Sequence, residues 1–170
     1  MTALPVSHAN RGRGLESVLD LAHDLYWKRE RVLVRHYGIA GQYFPGSAGK
    51  PRFAAFPKDQ QPVDYHGCDR GRLLVFDAKE DRSGSRRWSL DKRYTHQYDR
   101  LRAWAGCGAL AWFAVEAVTR EALFLLRIRP SSPWPVIDFA LGLEDSDLLL
   151  VRPNDEGWYD WLPVVRATWF

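Results

Sequence analysis

Pro62-Val63-Asp64-Tyr65-His66-Gly67-Cys68-Asp69-Arg70-Gly71-Arg72-Leu73-Leu74-Val75-Phe76-Asp77-Ala78-Lys79 is the stretch on which the fold turns. Residues 63–68 and 72–79 read as two strands, and Asp69-Arg70-Gly71 between them has the composition of a tight turn. Leu73-Leu74-Val75-Phe76 runs without a polar interruption, as a strand covered on both faces does. Upstream, Leu15, Val18, Leu19, Ala22, Leu25 and Tyr26 recur at three- and four-residue spacing and predict a helix over 15–27. Val32, Leu33 and Val34 follow as a short strand. Downstream, residues 94–105 predict a second helix, stopped by Gly106 and Gly108, with strands at 109–118 and 122–129. Beyond Pro130 the prolines break the pattern into short, irregular segments. The expectation is an α/β (α+β mixed) domain spanning 1–170, with a central mixed sheet flanked by helices.

Composition narrows the function classes. In 170 residues, 46% are apolar and 26% charged, which argues against disorder. No apolar run approaches the roughly 18–20 residues of a membrane span. Residues 1–10 lack a basic stretch followed by an apolar one, so no secretory signal is expected. Cys68 and Cys107 are too few for a disulfide framework and are expected to lie inert in apolar surroundings; a cytoplasmic setting follows. Charge is uneven: residues 1–132 carry 22 Lys/Arg against 14 Asp/Glu, and residues 133–170 carry 2 against 7. A basic body suggests a polyanionic partner, although a solvated Arg-rich surface produces the same numbers.

The chemistry-bearing set lies in the opening stretch. Side chains two apart on a strand share a face, so Asp77 and Lys79 project together, with Asp64 across the hairpin. Converging carboxylates repel unless a cation lies between them, and hard oxygen ligands suit Mg²⁺ or Mn²⁺. A lysine beside them fits metal-assisted phosphodiester hydrolysis. The competing reading is a strand-end salt bridge among Asp77, Lys79 and Arg72. Gln97 falls on the stripe Tyr94, Gln97, Leu101, Trp104, either facing the site or half-solvated at the stripe's edge. Glu16 either reaches toward a metal cluster or complements the first helix's dipole. Arg11 could cap that helix's approach or hold a phosphate. Arg82, Arg86, Arg87, Lys92 and Arg93 form a candidate phosphate-contacting loop, and Trp158 with Trp161 a candidate dimer anchor.

Asn10-Arg11-Gly12-Arg13-Gly14-Leu15-Glu16, Val63-Asp64-Tyr65-His66-Gly67, Gly71-Arg72, Phe76-Asp77-Ala78-Lys79-Glu80 and His96-Gln97 stand in the order and at the spacing of one family. Over residues 10–130 the chain resembles the RecU-type Holliday junction resolvases of the PD-(D/E)xK nuclease superfamily. The resemblance implies a Mg²⁺-dependent endonuclease, acting as a homodimer, that nicks opposed strands of a four-way DNA junction. It implies that Asp64, Asp77 and the Ala78 carbonyl ligate metal, that Glu16 joins them directly or through water, that Lys79 stabilises the transition state and that Gln97 supports them. It also implies DNA contacts near Arg11 and Arg13, and a protruding stalk at residues 38–62, where Lys50, Arg52 and Lys58 would meet phosphates. The chain departs from the family at Asp77, where Glu is commoner. The other functions in contention are a duplex-cutting endonuclease of the same superfamily and a non-cleaving junction-binding protein.

Overall fold

The structure is a computed structural model that describes residues 14–30, 32–36, 63–139 and 147–170, and the backbone alone of 41–44 and 52–55. Helix α1 spans Leu15–Glu30, α2 Thr95–Gly106 and α3 Trp161–Trp169. The strands are β1 (Leu33–His36), β2 (Gly41–Phe44), β3 (Arg52–Ala55), β4 (Tyr65–Asp69), β5 (Arg72–Asp81), β6 (Arg87–Ser89), β7 (Leu110–Ala117), β8 (Ala122–Ile128), β9 (Val136–Asp138) and β10 (Leu148–Val151). Six of them form a mixed sheet in the order β1-β4-β5-β7-β8-β10. Only β5 and β7 run parallel, joined by the α2 crossover; the remaining pairs are antiparallel. The expected mixed α/β architecture is therefore the one observed.

The β4–β5 hairpin forms as its sequence requires. Asp69 pairs with Arg72, and Arg70 and Gly71 between them have φ of 49° and 77°. Two left-handed residues twist the turn in the sense the strands need, which Gly71 adopts without a Cβ penalty. Past the turn, β5 alternates its side chains between two cores. Leu74, Phe76 and Ala78 pack toward α1 and α3, while Val75 lies in the second core with Tyr98 and Leu101 of α2. Burial on both sides accounts for Leu74, Val75 and Phe76, whereas Leu73, next to the turn, is exposed.

An aromatic row ties the sheet together. His36, Tyr65, Phe76 and Trp112 stand side by side on β1, β4, β5 and β7, with successive ring centroids 4.8, 4.7 and 4.6 Å apart. Cross-strand aromatic pairs of this kind contribute beyond their buried area. His23 of α1 and Trp161 of α3 close over Phe76 edge-on at 5.8 and 5.7 Å. Phe76 of this row immediately precedes Asp77 on β5 and faces the opposite side of the sheet.

Several expectations need correction. Trp158 and Trp161 are 4% and 1% exposed within this chain's own core, so they do not anchor a dimer. Cys68 and Cys107 are both exposed rather than apolar and enclosed. The inward stripe of α2 centres on Tyr98 and Leu101, and Tyr94 is exposed. Arg72 does not meet Asp77; it donates to the backbone oxygens of Trp169 and Phe170.

Residues beyond 130 hold more order than their prolines suggest. Pro163 falls in the first turn of α3, where a missing N–H costs no helical bond. Strand β10 pairs with β8 and forms an edge of the sheet. The acidic residues of this region largely meet partners in the chain: Asp147 binds Arg129, Asp138 binds Arg86, and Asp160 accepts from the Tyr26 hydroxyl.

Candidate active site

The site forms where β5 outruns its neighbour. Strand β4 begins at Tyr65, opposite Phe76, so β5 has no β4 backbone beside it from Asp77 onward. Asp64 takes up the first exposed donor: its Oδ2 accepts from the Ala78 N–H at 2.9 Å. A side-chain carboxylate thus extends the ladder by one rung and is held beside Asp77.

Asp77 is completely buried, on the face of β5 that packs toward α2. Its Oδ1 accepts from the Lys79 ammonium at 2.6 Å, while Oδ2 is enclosed with no hydrogen-bond partner among the described residues. Lys79 Nζ also lies 3.1 Å from the Ala78 carbonyl oxygen and 3.7 Å from Asp64 Oδ2. The ammonium therefore stands among the three oxygens that the family resemblance implies for a metal, and half of the salt-bridge reading is also realised. Burial chiefly, with the Asp64 carboxylate, pushes Asp77 up to about 8; Lys79 opposes the shift. An orphaned oxygen on a buried carboxylate needs a further positive partner or a proton. Asp64, Asp77 and the Ala78 carbonyl form the all-oxygen donor set that a hard divalent cation prefers, so these residues fit one.

A cleft of about 620 Å³ opens beside this constellation. Its walls are residues 14–17 of α1, residues 78–80 of β5, and residues 88–91 with Tyr94. Glu16 is exposed on the α1 wall, so the helix does turn it toward the site. Among the described residues, however, no three His, Cys, Asp or Glu side chains gather closely enough to hold a metal together. Glu16 stands apart from the Asp64–Asp77 pair. Gln97 is on the sheet side of α2, half-buried, its Oε1 enclosed without a hydrogen-bond partner among the described residues.

Three contacts around the site were not apparent in the sequence. Tyr94 presents its ring to Lys79, with Nζ 5.2 Å from the centroid. The Tyr65 hydroxyl donates to the Glu16 carbonyl at 3.2 Å. Glu80 accepts from the Leu15 N–H at 2.7 Å. Glu80 and Tyr65 both stood in the motif blocks, but only the fold brings them to α1.

In the basic loop, Arg82, Arg86, Arg87, Lys92 and Arg93 are all exposed. Arg82, Arg86 and Arg93 pair with Glu80, Asp138 and Asp91, and Arg87 and Lys92 make no ion pair among the described residues. Arg11, Arg13, Lys50 and Lys58, and the Arg52 side chain, lie outside the described residues. Of the 38–62 segment, the described part is an antiparallel pairing of β2 with β3.

A mixed sheet carrying two carboxylates and a lysine at the open end of its central strand is the class these observations define. The RecU family, described as Recombination protein U, matches residues 10–134, and the chain belongs to it. A relative in Levilactobacillus brevis, named Holliday junction resolvase RecU, is 29% identical over 126 residues, covering 71% of this chain and 62% of its own length. A protein of the same name in Shouchella clausii is 28% identical over 125 residues, covering 71% and 59%. The chain thus spans about three-fifths of the length of these curated relatives. The solved structure of Archaeoglobus fulgidus Hjc, a Holliday junction resolvase from an archaeal hyperthermophile, overlaps 84% of this chain and 90% of its own at a TM-score of 0.35 and 13% identity. An overlap that shallow adds nothing to the family assignment. Among the described residues no helix is long and apolar enough to cross a membrane.

Proposed function

We propose that this protein is a Mg²⁺-dependent endodeoxyribonuclease that acts as a homodimer and resolves four-way DNA junctions by paired, symmetric nicks. The observation that carries the reading is the buried Asp77, bonded to Lys79 through one oxygen and orphaned at the other, with Asp64 and the Ala78 carbonyl beside it. Asp64, Asp77 and the Ala78 carbonyl would hold the cation, with Glu16, which stands apart from that pair, completing its surroundings through water. Bound there, the cation supplies Lewis acidity and lowers the pKa of a water.

The chain's own residues do the rest. Lys79 brings positive charge to the cleft wall, where negative charge develops on the scissile phosphate, and Tyr94 limits the directions in which the ammonium can move. Gln97 offers an uncommitted amide on the α2 side to a phosphate or water. Arg87 and Lys92, unpaired among the described residues, would hold the backbone of the DNA arm, and residues 38–62 would form a stalk that enters the junction.

The test is cleavage of a synthetic four-way junction beside linear duplexes of the same arms. Metal-dependent cutting of the junction at matched positions on opposed strands, with duplex arms spared, supports the reading. Equal cutting of linear duplex would replace it with a general endonuclease. Tight junction binding with no cutting under any divalent metal would replace it with a binding protein.

A further inference from the structure

Lys79 and Glu80 are consecutive on β5 and point to opposite faces: Lys79 toward Tyr94 and the α2 side, Glu80 toward α1. Helix α1 has an unusual beginning. Gly14 precedes it and has no side chain, so the local Ser, Thr, Asp or Asn cap that most helices use is missing. The free N–H of Leu15 is instead bonded, at 2.7 Å, by a carboxylate 65 residues further along the chain. Gly14 makes room for it, because a Cβ there would stand 3.1 Å from Glu80 Oε1. The other oxygen of Glu80 is fixed by Arg82, at 3.0 and 2.7 Å. On the far side of the same turn, the Tyr65 hydroxyl holds the Glu16 carbonyl. Glu16 is therefore flanked by two bonds from the sheet, one from the strand that carries Lys79 and one from the residue after Asp64.

We propose that Glu80 is a positioning residue which, by binding the Leu15 N–H, sets the first turn of α1 so that the Glu16 carboxylate overlooks the Lys79 side of the cleft. The inference rests on the nuclease reading of that cleft. A strand that bears the site lysine on one face and the helix holder on the other fixes the separation of Glu16 and Lys79 through two adjacent residues. Arg82, though exposed, buttresses Glu80 by binding its second oxygen.

The experiment is a double-mutant cycle of Glu80→Ala and Glu16→Ala, with Glu80→Gln as the conservative variant, since a Gln carbonyl still accepts the Leu15 N–H. Three quantities are read: the Mg²⁺ concentration for half-maximal junction cleavage, Mn²⁺ affinity measured by electron paramagnetic resonance, and hydrogen exchange at the Leu15 amide. Glu80→Ala should raise the metal requirement about five- to twentyfold and speed Leu15 exchange at least tenfold, while Glu80→Gln stays within about threefold of the parent. Adding Glu80→Ala to Glu16→Ala should change the metal requirement and the Mn²⁺ affinity no further, because Glu80 acts through Glu16. Additive effects, as general loosening of the fold would give, would overturn the proposal, and so would an unchanged metal requirement in Glu80→Ala. If the parent protein cuts no junction, the nuclease reading fails by itself. The cycle in Mn²⁺ affinity, with Leu15 exchange, then decides the role of Glu80.

Discussion

Lys79 Nζ lies 2.6 Å from Asp77 Oδ1, and the second oxygen of that carboxylate has no hydrogen-bond partner among the described residues. One lysine therefore meets this fully buried carboxyl group on one side only. Asp77 is pushed up to about 8, mainly by burial, so the folded chain holds a proton there that the unfolded chain releases near pH 4. Asp77 supports folding fully below that lower value and loses its contribution as pH rises to about 8, at about 1.4 kcal/mol per pH unit. Asp77→Asn should therefore raise the melting temperature of the metal-free protein at pH 8–9, by about 2–4 °C per kcal/mol recovered, and abolish cleavage. A metal-free variant that melts below the parent at pH 9 would contradict this.

Removing the lysine has the opposite consequence. Lys79→Met leaves Asp64 and Asp77 without their shared cation, which should lower metal-free stability and reduce cleavage about 10²- to 10³-fold. Added Mg²⁺ should then raise the variant's melting temperature more than the parent's, because the ion replaces the ammonium among the same oxygens. Melts with and without Mg²⁺ check this, and equal gains for both proteins would count against it.

His23 supplies a separate, acid-sensitive term. It is buried among Tyr65, Phe76 and Trp161 with neither ring nitrogen bonded among the described residues, and burial pushes it down to about 3, with His36 and Arg35 adding to the effect. The unfolded chain gains this proton near pH 6.5 and the folded chain does not, so stability falls as pH drops from about 6.5 toward 3. His23→Phe should narrow the gap between melting temperatures at pH 5 and pH 7.5 by several degrees, by about 2–4 °C per kcal/mol. Comparing that gap, rather than either melt, removes any packing cost of the larger ring.

Arg166 of α3 forks onto buried Asp69 at 2.8 and 2.9 Å and also binds Glu30 at the end of α1. Arg166→Ala strands the Asp69 charge and should cost about 3–5 kcal/mol. Denaturant titration would show this as a lower midpoint. Replacing Asp69 with Asn in the same background should recover a large part of it, whereas two additive losses would show that the pair is not the source.

Arg87 and Lys92 are expected to contact phosphate. Each neutralisation, Arg87→Gln or Lys92→Gln, should reduce the slope of log affinity against log salt for junction DNA by about 0.7–0.9. Slopes unchanged in both variants would move the DNA path away from this loop.

The sequence showed the core of the fold because its strands are extreme: an unbroken Leu73–Phe76 run and a two-residue turn leave few alternatives. It showed Asp64, Asp77 and Lys79 for a related reason, since period-two alternation carries two of them to one face. What it did not show depends on distant contacts. Glu80 and Leu15 are far apart in sequence, and nothing local marks a strand carboxylate as the cap of an earlier helix. Trp158 and Trp161 suggested an interface because α3 was not anticipated; once Pro163 is placed in that helix's first turn, both indoles have a core of their own to enter. The exposure of Cys68 follows from its position on β4, where it pairs with Leu33 and Leu73, two of the exposed large apolar side chains.

The central claim is that the Asp64–Asp77–Lys79 constellation hydrolyses DNA with the help of a divalent cation. The most direct measurement is single-turnover cleavage of an end-labelled four-way junction by the parent protein and Asp77→Asn, each with Mg²⁺ and with a chelator. The account predicts nicks on opposed strands from the parent with Mg²⁺ alone, and intact junction in the other three reactions. Cleavage that persists in the chelator, or in Asp77→Asn at the parent's rate, would contradict it.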